Sequence, residues 1–174
     1  TAGTTNRVTI TANSQSTKAA QMAGIANEAV DVLDGMINNA APALRQQPDQ
    51  IIYVTQSFAD GLEAQLLKTY YGSELHWTAL FDGIKETSYR GIKVRVLPQL
   101  DEIIQSYEGT ATAYNLPHRA IYTTEHNLAL GVNGTDEFGR LRISFDETTL
   151  LNHIYATDKM GALVLDNKMA VIGY

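Results

Sequence analysis

At 174 residues the chain suits one domain with room for two lobes, and it is long enough to bury about two thirds of the surface its unfolded form exposes. An apolar fraction of 44% with 18% charged residues excludes a disordered chain, and the absence of cysteine excludes disulfide frameworks, thiol nucleophiles and thiolate metal sites. A net charge of −6 argues against the broad basic surface of nonspecific nucleic-acid binding, and no run reaches the roughly 18 to 20 apolar residues of a membrane span.

Residues 1–16 are rich in Thr, Asn, Ser and Gly, and a short alternation at Val8 and Ile10 reads as a loose lead-in or edge strand. From Thr17 to Ala41, Met22, Ala26, Ala29, Leu33, Met36, Ile37 and Ala40 recur at helical spacing, with Ser16 or Thr17 as N-cap and Pro42 as stop, which predicts one long helix. Gly24 and Gly35 each cost that helix up to about 1 kcal/mol, so close packing of another backbone is expected there. Ile51–Val54 is a short strand that feeds a helix capped by Ser57 and carrying Phe58, Leu62, Leu66 and Leu67. An aromatic patch, His76, Trp77 and Phe81, precedes a strand from Tyr89 to Leu97 in which Ile92, Val94 and Val96 alternate with Lys93 and Arg95. Pro98 ends that strand, and Leu100, Ile103 and Ile104 indicate a short helical or turn segment.

The last third reads as strands: Arg119–Thr123, Gly139–Phe145, Leu150–Thr157, Ala162–Leu165 and Met169–Ile172. Asn133-Gly134, Met160-Gly161 and Asp166-Asn167 read as turns between them. A long helix followed mostly by strands points to an α+β fold.

The residues show little chemistry. His76, His118, His126 and His153 are scattered without zinc-ligand spacing, no serine stands in a nucleophile-elbow context, and no phosphate-cradling glycine loop occurs. No cofactor, metal site or enzyme activity is expected. Charge is more informative. Lys93 with Arg95, and Arg140 with Arg142, stand on the faces of two strands turned away from the core, while the acidic pairs Asp101-Glu102, Asp136-Glu137 and Asp146-Glu147 occupy neighbouring stretches. Solvated edge charges are one reading. The other is complementary contact between copies, in which Lys93, Arg95, Arg140 and Arg142 of one subunit meet Asp101, Glu102, Asp136 and Glu137 of the next.

Several segments, in this order, resemble the major capsid proteins of tailed bacteriophages with the Hong Kong 97-type shell fold: Thr17–Ala41, the Asp49–Leu66 strand-then-helix unit, Tyr89–Pro98, His118–Leu130 and Thr149–Ile172. The resemblance implies a long spine helix packed on a mostly antiparallel sheet, with a second mixed α/β axial lobe. The capsid core would span 17–174, with a discontinuous peripheral domain at 17–48 and 150–174 and an axial domain at 49–149. The lead-in at 1–16 would then be the remnant of a truncated arm or extended loop, in a chain that begins at Thr1 because it is a fragment or processed product. The implied function is that of a structural shell subunit, self-associating in pentamers and hexamers, aided by a scaffold protein and a maturation protease. It would enclose DNA as weakly contacted contents, be located in the virion, and be assembled in the bacterial host cytoplasm without a membrane. Two alternatives stand beside it: an encapsulin-like nanocompartment shell protein, and a small-ligand or carbohydrate-binding module that stacks its ligand on Trp77, Phe81 and Tyr89.

Overall fold

The computed structural model describes residues 6–69, 76–80, 83–132, 140–146, 151–157 and 160–174. These residues divide into two compact units: one of Thr1–Glu125 with Asp166–Tyr174, the other of His126–Leu165.

The larger unit is a seven-stranded sheet with helices on one face. The strands are β1 (Arg7–Val8), β2 (Gln50–Val54), β3 (Thr78–Ala79), β4 (Lys85–Tyr89), β5 (Ile92–Val96), β6 (Ala120–Thr124) and β11 (Val171–Gly173), in the spatial order β1-β11-β6-β2-β5-β4-β3. Only β1 with β11 and β2 with β5 run parallel. The sheet is therefore mostly antiparallel. Ile52 and Val54 of β2, Val94 and Val96 of β5, Ala120 and Tyr122 of β6 and Val171 of β11 point into one core. Period-two alternation puts all of them on the same face.

The helical pattern of Thr17–Ala41 is divided, which corrects the expectation of one long spine helix. It forms α1 (Lys18–Ile25) and α2 (Ala29–Asn39). Thr17 caps α1 by accepting from the Ala20 N–H at 3.2 Å. At the break, Glu28 turns its carboxylate away to the N–H groups of Thr11 (3.2 Å) and Ala12 (2.5 Å). The Gln65 side chain accepts from Val30 N–H at 2.8 Å and donates to the Asn27 carbonyl at 3.1 Å. The Asn27 carbonyl and the Val30 N–H, which an unbroken helix would have satisfied, are thus claimed by the Gln65 side chain, and Glu28 ties the break to Thr11 and Ala12. Gly24 bears out the packing expectation, since a Cβ there would lie 2.9 Å from the Ala12 Cβ. Gly35 does not, because its nearest neighbour, Val8, would sit at an ordinary 3.5 Å.

Pro42 stops α2 and opens α3 (Pro42–Arg45). The helix α4 (Gln56–Thr69) starts one residue before Ser57, so Ser57 lies within it and does not cap it. The stretch read as one strand from Tyr89 is a hairpin. Arg90 (φ 52°) and Gly91 (φ 82°) take left-handed conformations, as a two-residue hairpin turn requires, and Tyr89 pairs with Ile92. Pro98 is the first residue of α5 (Pro98–Tyr107).

The smaller unit comprises two separate antiparallel ladders. In one, β7 (Leu128–Val132) pairs with β10 (Met160–Val164). In the other, β8 (Arg140–Asp146) pairs with β9 (Leu151–Thr157). Met160-Gly161, expected as a turn, lies within β10; Asn133-Gly134 lies outside the described residues. Asp166 opens a short 3-10 turn, where its carboxylate accepts the Lys168 N–H at 2.8 Å.

Candidate functional site

The strand register places one outward-facing row across all seven strands of the large sheet. It runs Arg7, Ile172, Ile121, Tyr53, Arg95, Glu86, Thr78, each residue directly opposite the next. Every member is exposed or half-buried, whereas the adjoining row on the opposite face, Val171, Tyr122, Ile52, Val94 and Thr87, is buried. At one end the Arg7 guanidinium lies 3.9 Å over the Tyr174 ring. The next outward row holds Thr123, Ile51, Lys93 and Ser88. It is closed at Thr123, whose hydroxyl donates to the Met169 carbonyl at 2.8 Å, and open at Lys93.

Lys93 and Arg95 find carboxylates within the chain. Arg95 donates from Nε (3.1 Å) and an Nη (2.8 Å) to one oxygen of Glu86, its cross-strand partner, and lies 3.6 Å from Glu125. Lys93 lies 3.5 Å from the same Glu125 oxygen. The Glu86 hydrogen bond makes the Arg95 proton harder to lose than usual, against a smaller opposing effect of burial. Two cations and two carboxylates therefore leave this patch neutral, with Tyr53, Ile121 and Ile172 as its apolar continuation. The sequence pattern showed the cations; the partners Glu86 and Glu125 were missed, since Lys85–Tyr89 has no apolar alternation to mark it as the strand paired with β5.

The other candidate residues fall elsewhere. Asp101, in the first turn of α5, accepts the N–H groups of Gln56 and Ser57 and so caps α4; Glu102 is exposed. Arg140 and Arg142 occupy β8 positions opposite Thr157 and Tyr155. Asp136 and Glu137 lie outside the described residues. The structure thus joins Lys93 and Arg95 in one ionic cluster and sets Asp101 in a different one.

That second cluster holds His118, fully buried between Ser57 and Gln21. Nε2 lies 2.9 Å from the Gln21 carbonyl and donates to it; Nδ1 lies 3.1 Å from Ser57 Oγ, whose hydroxyl donates to the Pro117 carbonyl at the same distance. Burial lowers the His118 pKa from the ordinary histidine value, opposed by the bond to Gln21. An aspartate, a serine and a histidine are bonded together, but in the wrong order for nucleophilic catalysis. Asp101 binds the Ser57 backbone instead of orienting the imidazole, and Nε2 is held by a carbonyl. A cleft of about 410 Å³ opens beside the cluster, lined in part by Met22, Gln56, Asp60, Asp101 and Gln105. Among the described residues, no three His, Cys, Asp or Glu side chains gather to hold a metal ion.

Of the aromatic stacking candidates, Trp77 and Tyr89 pack partly buried against the core, and the Tyr89 hydroxyl donates to Asp34 at 2.9 Å; Phe81 lies outside the described residues. Exposed apolar area is concentrated in the smaller unit, where Leu128, Leu130, Ile143, Phe145, Leu163 and Leu165 all stand in solvent. Among the described residues, no helix is long and apolar enough to cross a membrane.

No protein-family model and no curated protein matches the chain. Among solved structures it is similar to a chain of "Satellite phage P4 procapsid including size determination (Sid) protein", with a TM-score of 0.44 and 15% identity over 85% of this chain. The chain spans 39% of that chain's length.

Proposed function

We propose that this chain is a structural subunit of an icosahedral phage or prophage capsid, joined to copies of itself in pentamers and hexamers. The observation that carries it is the apolar surface of the His126–Leu165 unit. Six of the eleven large hydrophobic side chains exposed among the described residues fall there, on two ladders of two strands each. A two-stranded ladder is marginal alone in water, and this gathering of exposed apolar side chains in one unit suits a surface that a neighbour covers. A shell subunit has such surfaces because its neighbours complete its core.

The chain's charge suits the same role. DNA would be enclosed, not gripped, by a protein of net charge −6 whose Lys93 and Arg95 are already neutralised. Partner choice in this reading falls to Lys93, Arg95, Arg140 and Arg142 meeting Asp101, Glu102, Asp136 and Glu137 of a neighbour, for which Lys93 and Arg95 would exchange Glu125 and Glu86, and Asp101 its bonds to α4, for contacts between copies. A scaffold protein and a maturation protease are the other expected partners, and no catalysis is assigned. Assembly takes place in the host cytoplasm and the product is the virion.

The test is negative-stain electron microscopy of the protein expressed in bacteria with its genomic neighbours. Closed icosahedral shells are expected. Small monodisperse particles under every expression condition would sink the reading.

A further inference from the structure

His118 is fully buried and ties together three parts of the larger unit. Its backbone N–H donates to the Asn13 side chain at 2.9 Å, and its carbonyl accepts from the same side chain at 2.8 Å. Its ring spans Gln21 of α1 and Ser57 of α4. A ring held on both nitrogens titrates in place only where its surroundings fit both protonation states.

These surroundings fit both. The Gln21 carbonyl can only accept, so Nε2 carries a hydrogen whether the ring is neutral or charged. Nδ1 is then an acceptor in the neutral ring and a donor in the imidazolium. Ser57 Oγ opposite it can play either part, because its single hydrogen has three acceptors in reach: Nδ1 at 3.1 Å, the Pro117 carbonyl at 3.1 Å and Thr55 Oγ1 at 3.3 Å. When the hydroxyl points to Pro117, an oxygen lone pair is left for Nδ1. The carboxylates of Asp101 on α5 and Glu28 between α1 and α2 favour the charged ring, against the cost of burying it. Of the cations on the elements around it, Arg119 pairs with Glu108, and the Lys18 ammonium stands 4.5 Å over the Tyr114 ring.

The loop that leads into His118 is strained. Leu116 takes a left-handed φ of 47°, which a bulky side chain disfavours, and it does so directly before Pro117, where extended backbone is preferred. Side-chain hydrogen bonds hold it there. The Gln21 amide bonds both the N–H and the carbonyl of Tyr114, and the Arg119 guanidinium donates to the carbonyls of Asn115 and Leu116. Ser57 supplies the next link, at the Pro117 carbonyl.

We propose that His118 is a proton-binding site that titrates inside the folded chain, with Ser57 as a relay that passes its state to the loop ending at Pro117. In the neutral state the Ser57 hydrogen is divided between Nδ1 and the Pro117 carbonyl. In the charged state Nδ1 gains a proton from solvent and donates it to Ser57 Oγ, and the Ser57 hydrogen belongs to Pro117 alone. The only new covalent bond is Nδ1–H. Burial decides how acidic the transition is; the relay decides that it occurs without opening the fold. The device lies within one chain and is independent of the capsid reading.

The test is NMR of the chain labelled with carbon-13 and nitrogen-15, titrated from about pH 8 to about pH 4, with His118→Gln identifying the ring signals. Long-range proton–nitrogen correlations report the two ring nitrogens separately. A neutral ring protonated on Nε2 is expected at the upper end, and a ring protonated on both nitrogens within a native backbone spectrum at the lower. The Pro117 carbonyl carbon should shift with the same midpoint. Ser57→Ala removes the acceptor for Nδ1–H, so the proton affinity of His118 should fall about tenfold with the neutral tautomer unchanged.

A neutral ring protonated on Nδ1 would overturn the proposal. So would a ring that gains its second proton only as the native spectrum disappears, or a Pro117 carbonyl that does not follow the ring. These three readings come from the parent chain and decide the matter even where Ser57→Ala does not fold. A folded Ser57→Ala chain with the parent's proton affinity would overturn the relay.

Discussion

Asp101, in the first turn of α5, caps the neighbouring helix α4: its two carboxylate oxygens accept the N–H groups of Gln56 at 2.6 Å and Ser57 at 3.0 Å. The same carboxylate lies near the positive end of α5 itself. Asp101→Ala is expected to lower stability by about 1 to 2 kcal/mol, and Asp101→Asn, which keeps an acceptor but loses the charge, by roughly half as much. Urea unfolding at pH 7 followed by far-UV circular dichroism reads the difference; an unchanged midpoint for Asp101→Ala would show that the cap contributes nothing.

A Cβ on Gly61 of α4 would lie 2.5 Å from Ile25 Cγ2 and 3.0 Å from Cγ1. Ile25 is buried in α1 and branches at Cβ, so it has no room to swing aside. Gly61→Ala should therefore destabilise by roughly 1 to 3 kcal/mol from overpacking, reversing the gain of about 1 kcal/mol that alanine brings to an exposed helix position. Pairing it with Ile25→Ala should recover part of the overpacking cost, as a thermal melt of the four-member cycle would reveal. A stabilised Gly61→Ala would contradict the close approach of α1 and α4.

The Arg95–Glu86 pair is partly shielded, with the two side chains 27% and 24% exposed. A double-mutant cycle with Arg95→Ala and Glu86→Ala is expected to give a coupling of about 1 kcal/mol, near the upper end for surface pairs. Lys93 with Glu125 is longer and more exposed, and should give a smaller coupling. Arg95→Glu faces Glu86 and Glu125 with a third carboxylate, so it should weaken the fold itself. Lys93→Glu is consequently the cleaner probe of charge pairing between copies: assembly unchanged by it would reject that pairing.

His118 makes stability depend on pH. Burial lowers its folded pKa from 6.5, so between the two values the unfolded chain binds more protons than the folded one. Its contribution is complete above the unfolded pKa and is lost as pH falls through the folded value. Urea midpoints measured from pH 7.5 to 5 should fall for the parent and fall less for His118→Gln. Equal slopes would exclude His118 as the source. Glu108, whose pKa the Arg119 hydrogen bond lowers, acts in a more acidic window below its ordinary value of 4.5.

Much of the secondary structure was legible because local pattern and burial agree. The alternation of Ile92, Val94 and Val96 with Lys93 and Arg95 survives as β5, Ile51–Val54 as β2, and Phe58, Leu62 and Leu66 as the buried stripe of α4. The strand β7 was missed because its residues do not alternate; uniform apolarity on both faces lacks the periodic signal of a half-wet strand. The burial of Gln21 was not legible from its polar side chain, since it is bonded through its amide to Asn13 and Tyr114.

Composition and periodicity by themselves determined that this chain is an α+β protein without thiol chemistry, with one core-facing and one charged face on β5. Only the tertiary structure decided where the helical pattern of 17–41 breaks, because the groups that stabilise the break come from Thr11, Ala12 and Gln65. Only it decided that Lys93 and Arg95 have carboxylate partners in the same chain, and that Gly131 and Gly161 stand opposite each other, with no described residue within 4 Å of a Cβ placed at Gly161. The physical reason is common to all three. Each depends on a hydrogen bond, ion pair or void between residues remote in sequence, and one-dimensional spacing carries no information about which remote groups the folded chain brings within reach.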